Sequence, residues 1–275
     1  MAALLAVLSS LAWGTSDFMG GVTARKANAW TVVIIAQFVG LFAALALAPM
    51  FGGQLTWEAT GWGIIAGISG ALGLVALYHG LATGRMATVA PVAALVGAAI
   101  PVVVGVVDGE RPSNLTWIGI AIALPAIWLV AREESGNLRN GLTIAVAAGA
   151  GFGFFFVFIA SAPDSANLWP LVPARMGAVP VVLATALVTK QVTSNDFVFR
   201  RPVYLGAALA GGGDMVANML FLAAVQRGLL SVVSVLASLY PAVTVVLARL
   251  NGEPVKRTQW AGMGLSLVAV AFIAL

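Results

Sequence analysis

Three ionisable side chains lie deep inside apolar runs of this chain: Asp17, Arg175 and Asp214. In a lipid-like interior each costs about 2.5–3.5 kcal/mol, so such groups face a cavity or a partner. Asp214 is the strongest candidate. Gly211, Gly212 and Gly213 precede it, so the backbone there can pack closely or unwind, and Asn218 falls on the same helix face four residues later. A face with Asp214, Asn218 and Phe221 suits a small polar or zwitterionic solute. The competing reading is a structural ion pair between Asp214 and Arg175, and a pair lining a pathway would serve both purposes. Asp17 and Asp214 are candidate protonatable coupling sites; Asp17 could equally snorkel to the interface or pair with Arg25. His79 is a coupling candidate by residue type, with a packed, hydrogen-bonded imidazole beside Tyr78 as the alternative. Trp13, Tyr78 and Tyr240 are candidate cavity aromatics, whereas Trp30, Trp57, Trp62, Trp117, Trp169 and Trp260 sit at the ends of apolar runs and read as interfacial anchors.

Other chemistries are weighed against this. Gly211-Gly212-Gly213-Asp214 matches the pattern G-x-G-D, and Asp17 supplies a second carboxylate, an arrangement two facing aspartates use in proteolysis. That reading would resemble presenilin-type intramembrane proteases, but Asp17 follows Ser16, not Tyr, and the nearest later Pro-Ala is followed by Val243. There is no cysteine and only one histidine, which removes disulfides, thiolate nucleophiles and Cys- or His-rich metal sites. No nucleophile–base set and no phosphate-binding loop is present. The expectation is therefore no enzyme, no metal and no cofactor.

The elements that must position these residues are membrane-spanning helices. Hydrophobic residues make up 61% of the 275 and charged residues 9%, against about 25% charge in soluble domains, so lipid is the expected solvent. The net charge of +4 reads as loop charge at a membrane surface, not nucleic-acid binding, because no basic run exceeds two residues. A helix needs about 20 residues to cross the hydrocarbon layer. Ten windows qualify: 2–22, 29–50, 60–83, 86–107, 114–131, 141–161, 168–189, 203–226, 229–250 and 257–275. Strands are excluded because no window alternates with period two. The first window could pass for a signal-peptide core, but it lacks a basic n-region and has a counterpart at Leu142–Phe158. It is expected to be the first helix.

The windows repeat. At a shift of 143, Trp117 falls on Trp260, Gly119 on Gly262, and Gly109-Glu110 on Gly252-Glu253; at a shift of 139, Trp13-Gly14 falls on Phe152-Gly153 and Trp30 on Trp169. Each half holds five spans, and five is odd, so the second half is expected to enter the membrane inverted. The fold class is thus an all-α membrane protein of ten helices in two inverted repeats, at 1–131 and 141–275, joined by the polar linker 132–140. Loops after spans 1, 3, 5, 7 and 9 carry 11 basic residues and those after spans 2, 4, 6 and 8 carry 2, which places both termini outside the cytoplasm. Gly63/Gly67 and Gly149/Gly153 are spaced for close helix approach, and Pro101 and Pro241, in equivalent spans, are candidate hinges.

The repeat and four motifs together resemble the ten-helix EamA-type branch of the drug/metabolite transporter superfamily, over the whole chain. Ala12-Trp13-Gly14-Thr15-Ser16-Asp17-Phe18 is similar to the family's WGSNF opening, with Asp at the Asn position. Gly109-Glu110-Arg111 and Gly252-Glu253-Pro254 are similar to its GER signature, and Ala174-Arg175-Met176 to its ARF, where the first half has Ala36 in place of the arginine. The resemblance implies secondary transport, by preference export, of small metabolites such as amino acids or amphipathic compounds across the plasma membrane. It implies alternating access around a cavity to which Trp13, Asp17, Tyr78, Arg175, Asp214 and Asn218 are carried over. The expected partners are the bilayer, a small solute and protons, with a monomer or homodimer as the assembly; an uncoupled facilitator is the runner-up. Many relatives place both termini in the cytoplasm, the reverse of what the charge count gives here.

Overall fold

The computed structural model describes residues 1–82, 86–131 and 142–274, with side chains at 78, 81–82, 86–88, 90–91, 131 and 274 outside the description. The linker at 132–140 and the Tyr78 side chain therefore lie outside the described residues. Every long element described is a helix: α1 (Ala2–Ala24), α2 (Ala29–Leu47), α3 (Trp57–Ala82), α4 (Met86–Val107), α5 (Asn114–Ala131), α6 (Leu142–Ala160), α7 (Leu171–Val188), α8 (Arg201–Val225), α9 (Leu230–Ala237), α10 (Tyr240–Leu250) and α11 (Arg257–Ala274). Seven stretches are helical, long and apolar enough to cross a membrane, and Leu230–Leu250, made of α9 and α10, is one of them. Counting α9 and α10 as one interrupted helix gives ten helices among the described residues, equal in number to the apolar windows. The interruption has a local cause: Pro241 has no N–H to give the carbonyl four residues back, and the chain closes α9 with a tight Leu239 N–H bond to Leu236 O at 3.3 Å before α10 starts. Pro101, its counterpart, sits within the unbroken α4.

The outside of the bundle is apolar. Phe42 is 65% exposed, Leu205 56% and Leu267 75%, a distribution that water does not tolerate over so large a surface and lipid does. The inside is built from small residues. Gly67 lies against the backbone of Ala174, joining α3 to α7, and Gly149 against Ala93, joining α6 to α4. Buried serines tie helices through their backbones: Ser9 Oγ donates to Ala217 O at 2.8 Å and Ser16 Oγ to Ala210 O at 2.6 Å, both joining α1 to α8.

Contacts between loops sort them onto two faces. On one face Arg25, after α1, meets Glu253, after α10; Asn28 donates to Gln191 O at 2.6 Å, after α7; and Gln259 at the start of α11 donates to Val130 O at the end of α5. On the other face Glu110, after α4, meets the start of α9, and Gln226, after α8, donates to Asn167 O at 3.2 Å, after α6. Each contact joins loops an even number of spans apart, as alternate crossing of one layer requires.

Candidate functional site

The buried charges converge. α8 carries Asp214 at its middle, between α1 and α2, and α7 brings Arg175 to it: Arg175 Nη2 donates to Asp214 Oδ2 in an ion pair. The other guanidinium amino group, Nη1, donates to Gln37 Oε1 on α2 at 2.6 Å. The second carboxylate oxygen, Oδ1, accepts from the indole N–H of Trp13 on α1 at 3.0 Å. Four helices thus meet in one chain of hydrogen bonds, Trp13–Asp214–Arg175–Gln37. Two glycines make room for it. A side chain at Gly40 would lie 3.3 Å from the Arg175 guanidinium, and a side chain at Gly211 would meet the backbone of Ala36, so the missing side chains let α2 approach both α7 and α8.

The pair is not sealed off. The Asp214 side chain, in the middle of α8, is 34% exposed and that of Arg175, one turn inside the start of α7, is 13% exposed. Asp17, one turn after Trp13, keeps an exposed side chain within electrostatic reach of Asp214 and of Tyr240 on α10. These charged groups therefore keep accessible surface although their helices pack together. Beside them is an apolar cluster in which the Trp13 ring packs on Phe156 and Phe221, with centroids at 5.5 and 5.8 Å, while Phe156 stacks on Phe221 at 4.6 Å. A shallow apolar groove between α1 and α8, lined by Leu11, Thr15, Met19, Leu209 and Val216, lies on the other side of the same two helices.

Of the residues singled out from the sequence, Trp13, Asp17, Arg175, Asp214 and Asn218 come together. Asn218 is the least accessible of them at 4% exposure, and its side-chain amide donates to the Asp214 main-chain carbonyl at 2.7 Å. His79 sits exposed in the last turn of α3, and none of the hydrogen bonds of this group reaches it. One alternative for Asp17 is corrected: it does not pair with Arg25, because Arg25 Nη1 binds Glu253 Oε1 at 2.6 Å on the loop face. Trp169, read as an interfacial anchor, has its indole N–H buried and its ring packed on the core. Gln37 and Phe156 were not singled out at all. Gln37 is a lone neutral polar residue in an apolar run, and that was the available signal.

A multi-helix bundle with an apolar exterior and a partly exposed ion pair between its helices defines a polytopic membrane protein. The chain belongs to the EamA-like transporter family, whose model matches residues 1–132 and again 139–275. It is a membrane transporter of the drug/metabolite type. A solved structure described only as the crystal structure of a protein is similar in fold, with a TM-score of 0.76 over 98% of this chain and 95% of that one, at 17% identity. No curated protein matches the sequence.

Proposed function

We propose that the protein is a gradient-linked secondary carrier, working by preference as an exporter, that moves small metabolites such as amino acids or amphipathic compounds across the plasma membrane. The observation that carries this reading is the Arg175–Asp214 pair, partly open to water in mid-bundle and braced from α1 and α2 by Trp13 and Gln37. A charge pair kept only for stability gains nothing from a water-filled side, whereas a solute site needs one.

In this reading the halves 1–131 and 141–275, linked by 132–140, are inverted repeats that rock about the site. Two features support it. The main helix contacts come in pairs that exchange under a five-span shift: α3–α6 matches α1–α8, α3–α7 matches α2–α8, and α4–α6 matches the packing of α1 on α9 and α10, while α2–α7 and α5–α11 map onto themselves. A side chain at Gly53, after α2, would meet the backbone of Ala166, after α6, whereas the loop after α7 bonds to Asn28, after α1, which supports opposite faces for the equivalent loops α2–α3 and α7–α8. The face rich in Arg and Lys is taken as cytoplasmic, which sets both termini outside.

The test is flux in proteoliposomes. Asp214→Asn removes the charge that holds Arg175 and leaves one acceptor oxygen where Arg175 and Trp13 need two, so transport should fall to background in a protein that still inserts and purifies as a single species. Wild-type flux in that variant would take Asp214 out of the site.

A further inference from the structure

We infer that an anionic phospholipid binds along the outer seam of α1 and α8, with an acyl chain in the groove between them and its phosphate against Arg200, Arg201 and Lys26. The inference needs only the membrane setting of the bundle and is independent of the solute site.

The groove is built for hydrocarbon. Its volume is about 490 Å³, and Leu11, Thr15 and Met19 of α1 line it together with Leu209, Gly213 and Val216 of α8. Leu11, Leu209 and Val216 are exposed, so it opens on the apolar outside of the bundle. Gly213 deepens it, because a Cβ there would fill the space 3.2 Å from the Ser16 Cβ. Both hydroxyls of the groove are turned to backbone carbonyls: Thr15 Oγ1 donates to Leu11 O at 2.8 Å and Ser16 Oγ to Ala210 O at 2.6 Å. Water or a polar ligand finds little to bond there, and an alkyl chain needs nothing more.

One end of the seam is cationic. α1 and α8 run antiparallel: Ser9 bonds to Ala217, Ser16 to Ala210, and Thr23 lies against Gly206. The chain leaving α1 therefore arrives at the start of α8, where Ala27 packs with Val203. Lys26 thus shares a membrane level with Arg200 and Arg201. All three are exposed, and none makes an ion pair among the described residues. The described loop carboxylates of this face are engaged elsewhere, Asp196 by Thr193 and Glu253 by Arg25. Phe199, 70% exposed just before the two arginines, is held in place by the Tyr204 ring at 4.9 Å. An exposed aromatic beside cations at a span end belongs at headgroup level.

The lengths fit one lipid. Arg201, Leu205 and Leu209 recur every four residues and so share a face of α8. By helix rise Leu209 lies about 12 Å and Gly213 about 18 Å deeper than Arg201. One leaflet of hydrocarbon is about 15 Å deep, so a lipid with its phosphate at Arg201 lays the lower part of a chain in the groove. Three cations attract an anionic headgroup, whereas they repel the ammonium of a zwitterionic one.

The test uses the full-length protein, delipidated in detergent. It is titrated with phosphatidylglycerol, with phosphatidylcholine of the same chains, and with glycerol 3-phosphate, which carries the phosphate without chains. Binding is read as adducts in native mass spectrometry and as a rise in melting temperature. Wild type should hold one phosphatidylglycerol, bind phosphatidylcholine more weakly, and ignore glycerol 3-phosphate at the same concentration. Arg200→Gln combined with Arg201→Gln should weaken phosphatidylglycerol about fivefold per charge removed and bring it near phosphatidylcholine. Arg200→Lys with Arg201→Lys should keep the preference, which separates charge from a folding defect. Thr15→Phe, filling the groove from an exposed position, should weaken both phospholipids and leave the preference between them. Equal binding of the two phospholipids by wild type, or a preference that survives the paired Gln substitutions, overturns the headgroup site. Glycerol 3-phosphate binding as tightly as phosphatidylglycerol, or undiminished phospholipid binding in Thr15→Phe, overturns the groove as the seat of the chain.

Discussion

The turns after α4 and after α10 share a backbone and differ in what their glutamates hold. In both, three amides bond back in the same pattern: Asp108, Gly109 and Glu110 to Val104, Val106 and Gly105, and Asn251, Gly252 and Glu253 to Leu247, Arg249 and Ala248, each partner displaced by 143. Gly109 and Gly252 both adopt positive φ, 99° and 89°. Yet Glu110 folds back over Gly105 and accepts from the backbone N–H groups of Leu230 and Ser231, capping α9, while Glu253 reaches out to Arg25. The reason lies in two substitutions between the halves. Gly105 has no side chain where Glu110 lies, and its counterpart Ala248 puts a methyl group there. Arg25 draws Glu253 away, and its counterpart at a shift of 139 is Asp164, which offers Glu110 no such partner. A repeated backbone can thus give unequal halves through single atoms, one half capping a helix and the other tying two loops.

The sharpest way to break this comparison is to remove the cap. Glu110→Ala leaves two first-turn amides of α9 without their acceptor and should cost about 2 kcal/mol, read as a melting temperature lower by roughly 4–8 °C in detergent. Gly105→Ala should approach the same loss with Glu110 intact, because the added methyl displaces the carboxylate. If Gly105→Ala melts like wild type, the missing side chain is not what separates the two turns.

This contrast also marks how far the sequence could be read. The helices were legible because a 20-residue apolar run has few alternatives, and the Gly-Glu turns were legible as a repeat. The break between α9 and α10 was foreshadowed by Pro241 but not located, since Pro101 in the equivalent span leaves α4 whole. The ion pair was visible because two lone opposite charges in apolar spans need each other. Gln37 was not, because a neutral amide states its role only once Arg175 lies 2.6 Å away. Trp13 was placed in the cavity by residue type, but its bond to Asp214 spans 201 positions of sequence and belongs to packing alone.

The shared part of the comparison can be tested next. Gly109→Ala and Gly252→Ala each force a Cβ into left-handed backbone, at a cost of roughly 1 kcal/mol. Neither position has a neighbouring atom that an added methyl would meet, so backbone conformation alone sets the penalty. The two variants should therefore lose the same melting temperature to within error. Unequal losses would mean that the turns differ in backbone energetics, and not only in what their glutamates hold.

The smallest effect is expected where the second half departs from the first. Arg25 and Glu253 are both on the loop face, and the Arg25 guanidinium, by its hydrogen bond first and its charge second, holds the Glu253 carboxyl below its ordinary 4.5. Lowering a carboxyl in the folded state stabilises the fold above the unfolded value, and that contribution disappears as pH falls from 4.5 through the lowered value. Arg25→Gln should then melt slightly below wild type at neutral pH and low salt, and the difference should close both below the Glu253 titration and at high salt, since an exposed pair is screened. A deficit that persists in acid or in salt would show that Arg25 is held by something other than this pair. The two Gly-Glu turns would then differ by more than the partner of a single carboxylate.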